Sequence, residues 1–372
     1  MQRLNNPPNP YESSYREYFE EPSFDSAQDG PEQAKRVDGF GRLTIDPEQR
    51  RRIEGPPLAE LEVYEDNSQT ILSKNESPDL CFRWSLNPYR GCMHGCAYCF
   101  ARPTHEYLGF GSGTDFQTKI VVKPKAPELL RNHFLKKSWS GELILFSGNT
   151  DCYQPLEASW KLTRRCLEVC LEFRNPVAII TKSYLIVRDI DLLKELDQKA
   201  FVQIFFSIPF LNEKLSRALE PYTPSPTRRF EAMKKLSEAG LRTGVSLAPL
   251  IPGLNDSEMP RLLQKAKESG AISAFTALLR LPGNVKSVFL KSLETHVPLK
   301  ADKVIRRIRE LRGGTLYNSN FFERQRGEGD YWESLMKTFE VYQRKFGLNR
   351  SPEVPSPTTF CVPSKQQEFT FS

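Results

Sequence analysis

The chain has 372 residues, of which 39% are hydrophobic, and a formal net charge of +6. It is long enough for one large domain with extensions or for two ordinary domains. No run of about 18 apolar residues occurs, so we expect no membrane-spanning helix. The start of the sequence is polar and contains proline instead of the apolar segment of a secretory signal, so a cytoplasmic location is expected.

Both ends of the sequence differ in composition from its middle. Residues 1–75 mix Pro, Asn, Glu and Arg with little periodicity, and residues 351–372 contain four prolines. Such segments are typical of partly disordered extensions. We therefore predict a polar extension over residues 1–75, a core over residues 76–300, a helical C-terminal extension closing the core over residues 301–350, and a flexible tail over residues 351–372.

Short apolar runs alternate with segments of helical period through the predicted core. Runs that are hydrophobic on both faces are typical of buried parallel strands, and their alternation with helices indicates βαβ units. The predicted strands are residues 82–86, 142–146, 177–181, 201–208, 243–250 and 274–279, with residues 116–123 as an additional strand. The predicted helices are residues 158–173, 186–196, 227–239 and 257–268.

The fold class that follows is α/β: a partial parallel (β/α)6 TIM-like barrel with extended N- and C-terminal segments. In parallel α/β folds, functional groups gather at the carboxyl ends of the strands. We therefore expect the residues that carry chemistry to follow the predicted strands.

Three of the eight cysteines, Cys92, Cys96 and Cys99, form a C-x3-C-x2-C pattern just after the first predicted strand. Gly91 and Gly95 allow tight turns of the chain around a bulky inorganic group. Thiolates are the usual ligands of iron–sulfur clusters, and three cysteines leave one iron of a [4Fe–4S] cube open. The pattern predicts such a cluster with an open iron.

A structural zinc site is the alternative for the same three cysteines. His94, His105 or Cys81 would then supply the fourth ligand. Zinc sites usually pair two cysteine knuckles, and the sequence contains no second C-x2-C, which favours the cluster.

The cysteine pattern, with aromatic Tyr98 just before the third cysteine, resembles the signature of the radical S-adenosylmethionine (SAM) superfamily. Residues 87–110 are also similar to a bacterial branch related to spore photoproduct lyase, and the resemblance extends over roughly residues 79–348. It implies that the three cysteines hold the cluster, that SAM binds the open iron and that Tyr98 lies near the adenine. The implied reaction is cleavage of SAM to a 5′-deoxyadenosyl radical, which takes a hydrogen atom from a substrate.

The same resemblance implies SAM contacts for residues that follow later strands. In the family, polar residues after the strand at residues 142–146 hold the amino group of SAM, and an apolar–Gly strand end packs against the adenine. The motifs T-D-x-Y-x-P-x-E and R-x-L-E-P…R of the branch also have matches here. The implied contacts are Ser147, Gly148, Asn149, Thr150, Asp151, Glu157, Ser207, Arg217, Glu220, Arg229 and Gly253.

Three of these positions have structural alternatives. Glu157 suits the first turn of a helix, where the helix dipole favours an acid, and Glu220 and Arg229 could brace a loop as an ion pair. Cys152 stands where the branch has proline and is a weak candidate for the hydrogen-atom donor. A buried apolar filler is the more common role of a lone cysteine.

The predicted function is a radical SAM enzyme, related to lyases of the photolyase-like kind, with nucleic-acid repair or modification as one reaction. Residues 300–350 contain 12 Lys and Arg against 7 Asp and Glu, which suits either a nucleic-acid contact surface or a solvated helical face. Modification of a protein or a small metabolite is an alternative reaction. A non-catalytic iron–sulfur electron carrier or sensor is an alternative class. The family implies a low-potential electron donor, flavodoxin or ferredoxin.

Overall fold

The computed structural model describes residues 3–4, 61–350 and 352–363. Residues 5–60 of the predicted N-terminal extension and residues 364–372 of the predicted tail lie outside the described residues. The predicted division into domains stays a prediction. No helix in the described ranges combines the length and the apolar character needed to cross a bilayer.

The strands of the described residues form two sheets. They are β1 (Arg3–Leu4), β2 (Glu62–Glu65), β3 (Leu72–Lys74), β4 (Trp84–Leu86), β5 (Tyr89–Arg90), β6 (Lys119–Val122), β7 (Ile144–Phe146), β8 (Val177–Thr181), β9 (Val202–Ser207), β10 (Arg242–Leu250) and β11 (Ser273–Leu278). The larger sheet has the order β11-β10-β9-β8-β7-β4-β3. Its strands β4 and β7 to β11 are parallel neighbours in chain order, and β3 pairs antiparallel with β4.

This sheet confirms the predicted partial (β/α)6 barrel. Each of its parallel strands overlaps one of the six predicted runs, because each run is apolar enough to be buried on both faces. The helices are α1 (Asp115–Thr118), α2 (Ala126–Phe134), α3 (Glu157–Trp160), α4 (Leu162–Glu172), α5 (Ile190–Lys199), α6 (Glu213–Leu219), α7 (Pro226–Glu238), α8 (Met259–Glu268), α9 (Val285–His296), α10 (Pro298–Glu310) and α11 (Gly329–Lys345). Three 3-10 segments span Arg102–Leu108, Tyr184–Asp189 and Asp256–Glu258.

Two predicted elements differ in the structure. The predicted helix at residues 158–173 is split into α3 and α4, because Lys161 adopts a left-handed φ of 52°. The predicted strand at residues 116–123 is shortened to β6 and belongs to the second sheet, whose order is β1-β2-β6-β5. That sheet matters for the site, since its edge strand β5 leads directly into the cysteine loop.

Two of the C-terminal helices pack against the cysteine loop. Phe289 of α9 and Val304 and Ile308 of α10 form one buried apolar cluster with Tyr98 of the cysteine loop. The amide of Ala274 donates to the carbonyl of Leu348, so the chain after α11 covers the edge of β11. The C-terminal helices therefore bury one side of the cysteine loop.

Two sets of contacts hold C-terminal segments of the described chain against the core. Arg324 forms an ion pair with Asp79 through two hydrogen bonds, of 2.5 and 2.7 Å, and both side chains are largely buried. In the segment predicted as a flexible tail, the ring of Phe360 stacks on Phe173 with centroids 6.1 Å apart. The amide of Cys361 donates to the carbonyl of Phe173. Residues 360 and 361 are therefore packed against Phe173.

Candidate active site

Cys92, Cys96 and Cys99 lie in the loop between β5 and the 3-10 segment Arg102–Leu108. Cys92 and Cys96 are buried, and Cys99 is half-buried. The amide of Cys92 donates to the carbonyl of Phe116, and the amide of Ala97 donates to the carbonyl of Leu219, each at 2.9 Å. The loop is therefore fixed on one side by the segment before β6 and on the other by the end of α6.

The two glycines of this loop have conformations that suit no other residue. Gly91 has a φ of +78°, and a Cβ there would lie 2.9 Å from the carbonyl oxygen of Phe116. Gly95 has a φ of +64°, and a Cβ there would lie 2.7 Å from Oε1 of Gln117. The loop can pack this closely only because both positions lack a side chain.

Arg102 holds the loop from beneath through backbone carbonyls. Its guanidinium donates to the carbonyls of Gly95, Cys96, Ser112 and Gly113, at distances between 2.7 and 2.9 Å. No carboxylate of the described residues forms an ion pair with it. Burial lowers the pKa of Arg102, and the three cysteines of the loop raise it. Arg102 is therefore a buried cation that faces thiols.

The thiols are near enough to one another to interact electrostatically. Burial raises the pKa of Cys92 well above its usual value, and Asp151, Cys96 and Cys99 raise it further. Burial is also the main cause that raises the pKa of Cys96 to about 12. Deprotonated thiols at these positions need a bound cation, which iron supplies. This donor set fits an iron–sulfur cluster.

The side chains named as a fourth zinc ligand have other environments. His105 Nε2 lies 2.8 Å from the carbonyl oxygen of Lys119, His94 Nδ1 lies 3.4 Å from Asp151 Oδ2, and Cys81 is exposed. Within the described ranges, no three His, Cys, Asp or Glu side chains converge on a single ion. A cluster spreads its three thiolates over three irons, so the arrangement suits a cluster rather than one zinc ion.

A buried group of charges lies beside the loop, centred on Glu220. Arg229 Nη2 lies 2.6 Å from Glu220 Oε2, Lys182 Nζ lies 3.3 Å from Glu220 Oε1, and the hydroxyl of Tyr98 donates to Glu220. Burial raises the pKa of Glu220, but Arg229 and Lys182 lower it more, to about 2. Glu220 is therefore ionised at neutral pH and anchors two cations at the strand ends.

The two cations of this group differ in their freedom to bind a ligand. Arg229 is fully buried, and its guanidinium donates to Pro224, Ser207, Glu220 and Thr223. Lys182 directly follows β8, is 13% exposed and donates to the hydroxyl of Ser207 at the end of β9. Lys182 was not among the predicted site residues, although its place directly after a predicted strand could have identified it.

The residues after β7 connect the loop to the strand ends. Ser147 has a left-handed φ of 85°, Asn149 is exposed, and Thr150 donates to the carbonyl of Tyr89. The oxygens of Asp151 accept from the hydroxyl of Thr181 at 2.7 Å and from the amide of Lys182 at 2.8 Å.

Gly148 and Asp151 contact two different neighbouring strands, β4 and β8. Gly148 turns against β4, where a Cβ would lie 3.1 Å from that of Ser85. Asp151 links the residues after β7 to the end of β8 and so positions Lys182.

Four predicted site residues lie outside this group. Glu157 accepts from the amides of Thr163 and Arg164 at the start of α4 and pairs with Arg188, so it braces a helix. The following residues have no contact with Glu220 or the cysteine loop: Cys152 is fully buried in the core, Arg217 is exposed on α6, and Gly253 turns beneath α10. Their roles as cofactor contacts or as hydrogen donor stay predictions.

Known proteins resemble this chain in sequence and in fold. The family model of the radical SAM superfamily matches residues 86–266. An uncharacterised protein of Mycobacterium tuberculosis strain H37Rv is 34% identical over 264 residues, which cover 70% of this chain and 76% of the relative. An uncharacterised protein of Methanocaldococcus jannaschii is 32% identical over 176 residues, which cover 47% of this chain and 63% of the relative.

Solved structures of spore photoproduct lyase share the fold. The complex with dinucleoside spore photoproduct has a TM-score of 0.57 at 16% identity, covering 76% of this chain and 78% of the lyase chain. A double mutant with bound AdoMet and dinucleoside spore photoproduct has a TM-score of 0.56 at 15% identity, with the same coverage of both chains.

The cysteine loop, the partial (β/α)6 barrel and these similarities together define an enzyme of the radical SAM class. The chain belongs to the radical SAM superfamily, as the resemblance of its cysteine loop predicted. Its fold is that of spore photoproduct lyase.

Proposed function

We propose that the chain binds a [4Fe–4S] cluster through Cys92, Cys96 and Cys99 and cleaves SAM reductively to act on a C–H bond. When bound, the cluster supplies the electron for that cleavage. The observation that carries the proposal is the position of three mutually interacting thiols, two of them buried and one half-buried, beside the ionised group centred on Glu220. A flavodoxin or ferredoxin in the cytoplasm is the proposed electron donor.

The carboxylate of SAM is best matched by Lys182. Its ammonium is the partly exposed cation of the group, whereas every donor-bearing nitrogen of Arg229 already has a protein acceptor. Ser207 lies within hydrogen-bond distance of Lys182 and can bind the same part of the ligand. The centroid of the Tyr98 ring lies 5.8 Å from Nζ of Lys182, so an aromatic ring borders the same place. Asn149 offers an exposed amide oxygen for the ammonium of SAM.

Lys182→Met should weaken SAM binding about 10- to 100-fold, because it removes one charge-assisted hydrogen bond to a carboxylate. The measurement is the Kd for SAM on anaerobically reconstituted protein, together with 5′-deoxyadenosine formed after dithionite reduction. Lys199→Met is the matched control, since Lys199 lies exposed on α5 and pairs with Glu195. An equal Kd in both variants would remove Lys182 from the proposed site. Absence of 5′-deoxyadenosine from cluster-loaded wild type, with every substrate class supplied, would refute SAM cleavage.

We further infer that the substrate is a nucleic acid. Both spore photoproduct lyase structures described above contain a dinucleoside photoproduct, and this chain has most of its excess positive charge in residues 300–350. A protein or metabolite substrate is the competing assignment.

Single-stranded DNA or RNA should therefore bind with a Kd that weakens about ten-fold or more between 50 and 200 mM salt, because phosphate contacts release counterions. Fluorescence anisotropy with labelled oligonucleotides measures this, with labelled polyglutamate of equal charge as the control. If the oligonucleotides fail to bind at 50 mM salt, or bind no better than polyglutamate, the nucleic-acid assignment is wrong.

A further inference from the structure

Two arginines at the carboxyl end of β11 have guanidinium nitrogens without acceptors. Arg280 packs over the ring of Phe100 at 5.1 Å, and its Nε is buried without a hydrogen-bond partner. Arg312 Nη2 donates to the carbonyls of Leu279 and Arg324, at 2.9 and 3.0 Å. Its Nε and Nη1 are buried and have no partner. No carboxylate in the described part of the chain forms an ion pair with either arginine.

The two guanidinium groups share one place in the fold. Arg312 bonds the carbonyl of the residue just before Arg280, and the charge of Arg280 adds to burial in lowering the pKa of Arg312. Arg312 is only 7% exposed, so its unpaired donors are unfavourable, because they lose water without gaining a protein acceptor. An anion bound between the two arginines would offset that cost.

Each arginine lies next to a part of the structure that solvent reaches. Phe100, the ring beneath Arg280, directly follows the cluster ligand Cys99 and is 42% exposed. Arg312 also lines a cavity of about 320 Å³. The cavity's charged and polar lining residues are Arg312, Arg326, Asn318, Glu323 and Glu328, and Asn318 donates to Glu323.

We propose that Arg280 and Arg312 form an anion subsite that binds a phosphate group of the substrate, next to the cysteine loop. A guanidinium is a common ligand of phosphate oxygens, and the unpartnered Nε and Nη1 of Arg312, which point in different directions, can each donate one hydrogen bond. Naming a nucleic-acid phosphodiester as the source rests on the proposed function, whereas the anion subsite itself does not. Binding here would place the sugar and base attached to that phosphate at the barrel mouth.

The test compares ligands that differ only in charge. Thymidylyl-thymidine with its phosphodiester, its neutral methylphosphonate analogue and inorganic pyrophosphate are titrated calorimetrically into SAM-loaded protein. The variants are Arg280→Gln and Arg312→Gln, with Arg306→Gln on α10 as the matched control, because Arg306 is exposed. Arg312 also holds two carbonyls, so Arg280→Gln, which breaks no hydrogen bond of the described residues, is the deciding variant.

Wild type and Arg306→Gln should bind the phosphodiester about 10- to 100-fold more tightly than the methylphosphonate, and Arg280→Gln should lose this preference. Pyrophosphate binding that depends on Arg280, without dinucleotide binding, would uphold the subsite and refute the nucleic-acid source. An unchanged phosphodiester preference in Arg280→Gln would overturn the subsite. So would a weaker Kd for SAM with unchanged dinucleotide binding, since the arginines would then serve the cofactor. None of these results depends on SAM cleavage.

Discussion

Replacing Cys92, Cys96 or Cys99 with alanine should reduce 5′-deoxyadenosine formation to the level of the reaction without enzyme. Each thiolate would hold a different iron of the proposed cluster, so the loss of one thiolate leaves that iron without its protein ligand. We expect iron and labile sulfide to fall together with activity. Reconstituted proteins are compared by iron content, by visible absorbance and by chromatography of the product.

Cys361→Ala is the control for this loss, because the Cys361 thiol is exposed and lies far along the chain from the loop. Circular dichroism shows whether each variant is folded. Cys361→Ala should keep its iron and its activity. The cluster assignment is refuted if a folded variant of one of the three loop cysteines keeps both as well.

Glu220→Gln should lower the free energy of unfolding at pH 7 by about 3–5 kcal/mol, the usual cost of breaking a buried ion pair. Its partner Arg229 is fully buried and would keep its charge without a counter-ion. Chemical denaturation monitored by circular dichroism measures the effect. Glu195→Gln is the control, since the exposed pair of Glu195 with Lys199 contributes about 0.3–0.5 kcal/mol.

The same pair predicts a pH dependence with a definite sign. The pKa of Glu220 is about 2 in the folded chain, below its usual value of 4.5. Its stabilisation is therefore complete above pH 4.5 and is lost as the pH falls towards 2. The unfolding free energy of wild type should fall through this window more steeply than that of Glu220→Gln. Parallel curves for the two proteins would show that Glu220 is not held ionised by its neighbours.

The strands of the larger sheet were predictable because they are local features. A run such as residues 177–181 is apolar on both faces, and it forms β8 with the same bounds. The short strands β2, β3 and β5 were not predicted. They have two to four residues, too few for a clear apolar pattern, and β2 and β5 also depend on pairing with β6, which is distant in the sequence.

The same distinction between local and long-range features explains which site residues could be predicted from the sequence. The cysteine loop is contiguous, so its spacing could be recognised in the sequence. Tyr98, Ser207, Glu220 and Arg229 lie together in the structure, and their role as cofactor contacts stays a prediction. Lys182 has no motif around it and acquires its role only when β8 lies beside β9. Arg280 and Arg312 are separated by a stretch that forms two helices, so their proximity depends on how α9 and α10 pack.

The ion pair of Asp79 with Arg324 has a consequence for how the barrel folds. In the part of the chain that the structure describes, the first and last strands of the larger sheet do not pair with each other, and the Asp79–Arg324 ion pair joins residues that are 245 positions apart. Closing a loop of that length costs about 5 kcal/mol of chain entropy, which one ion pair cannot offset alone. The Asp79–Arg324 ion pair can therefore form only after the sheet has brought its two edges into place. It should be among the last contacts made during folding and among the first lost when the domain opens.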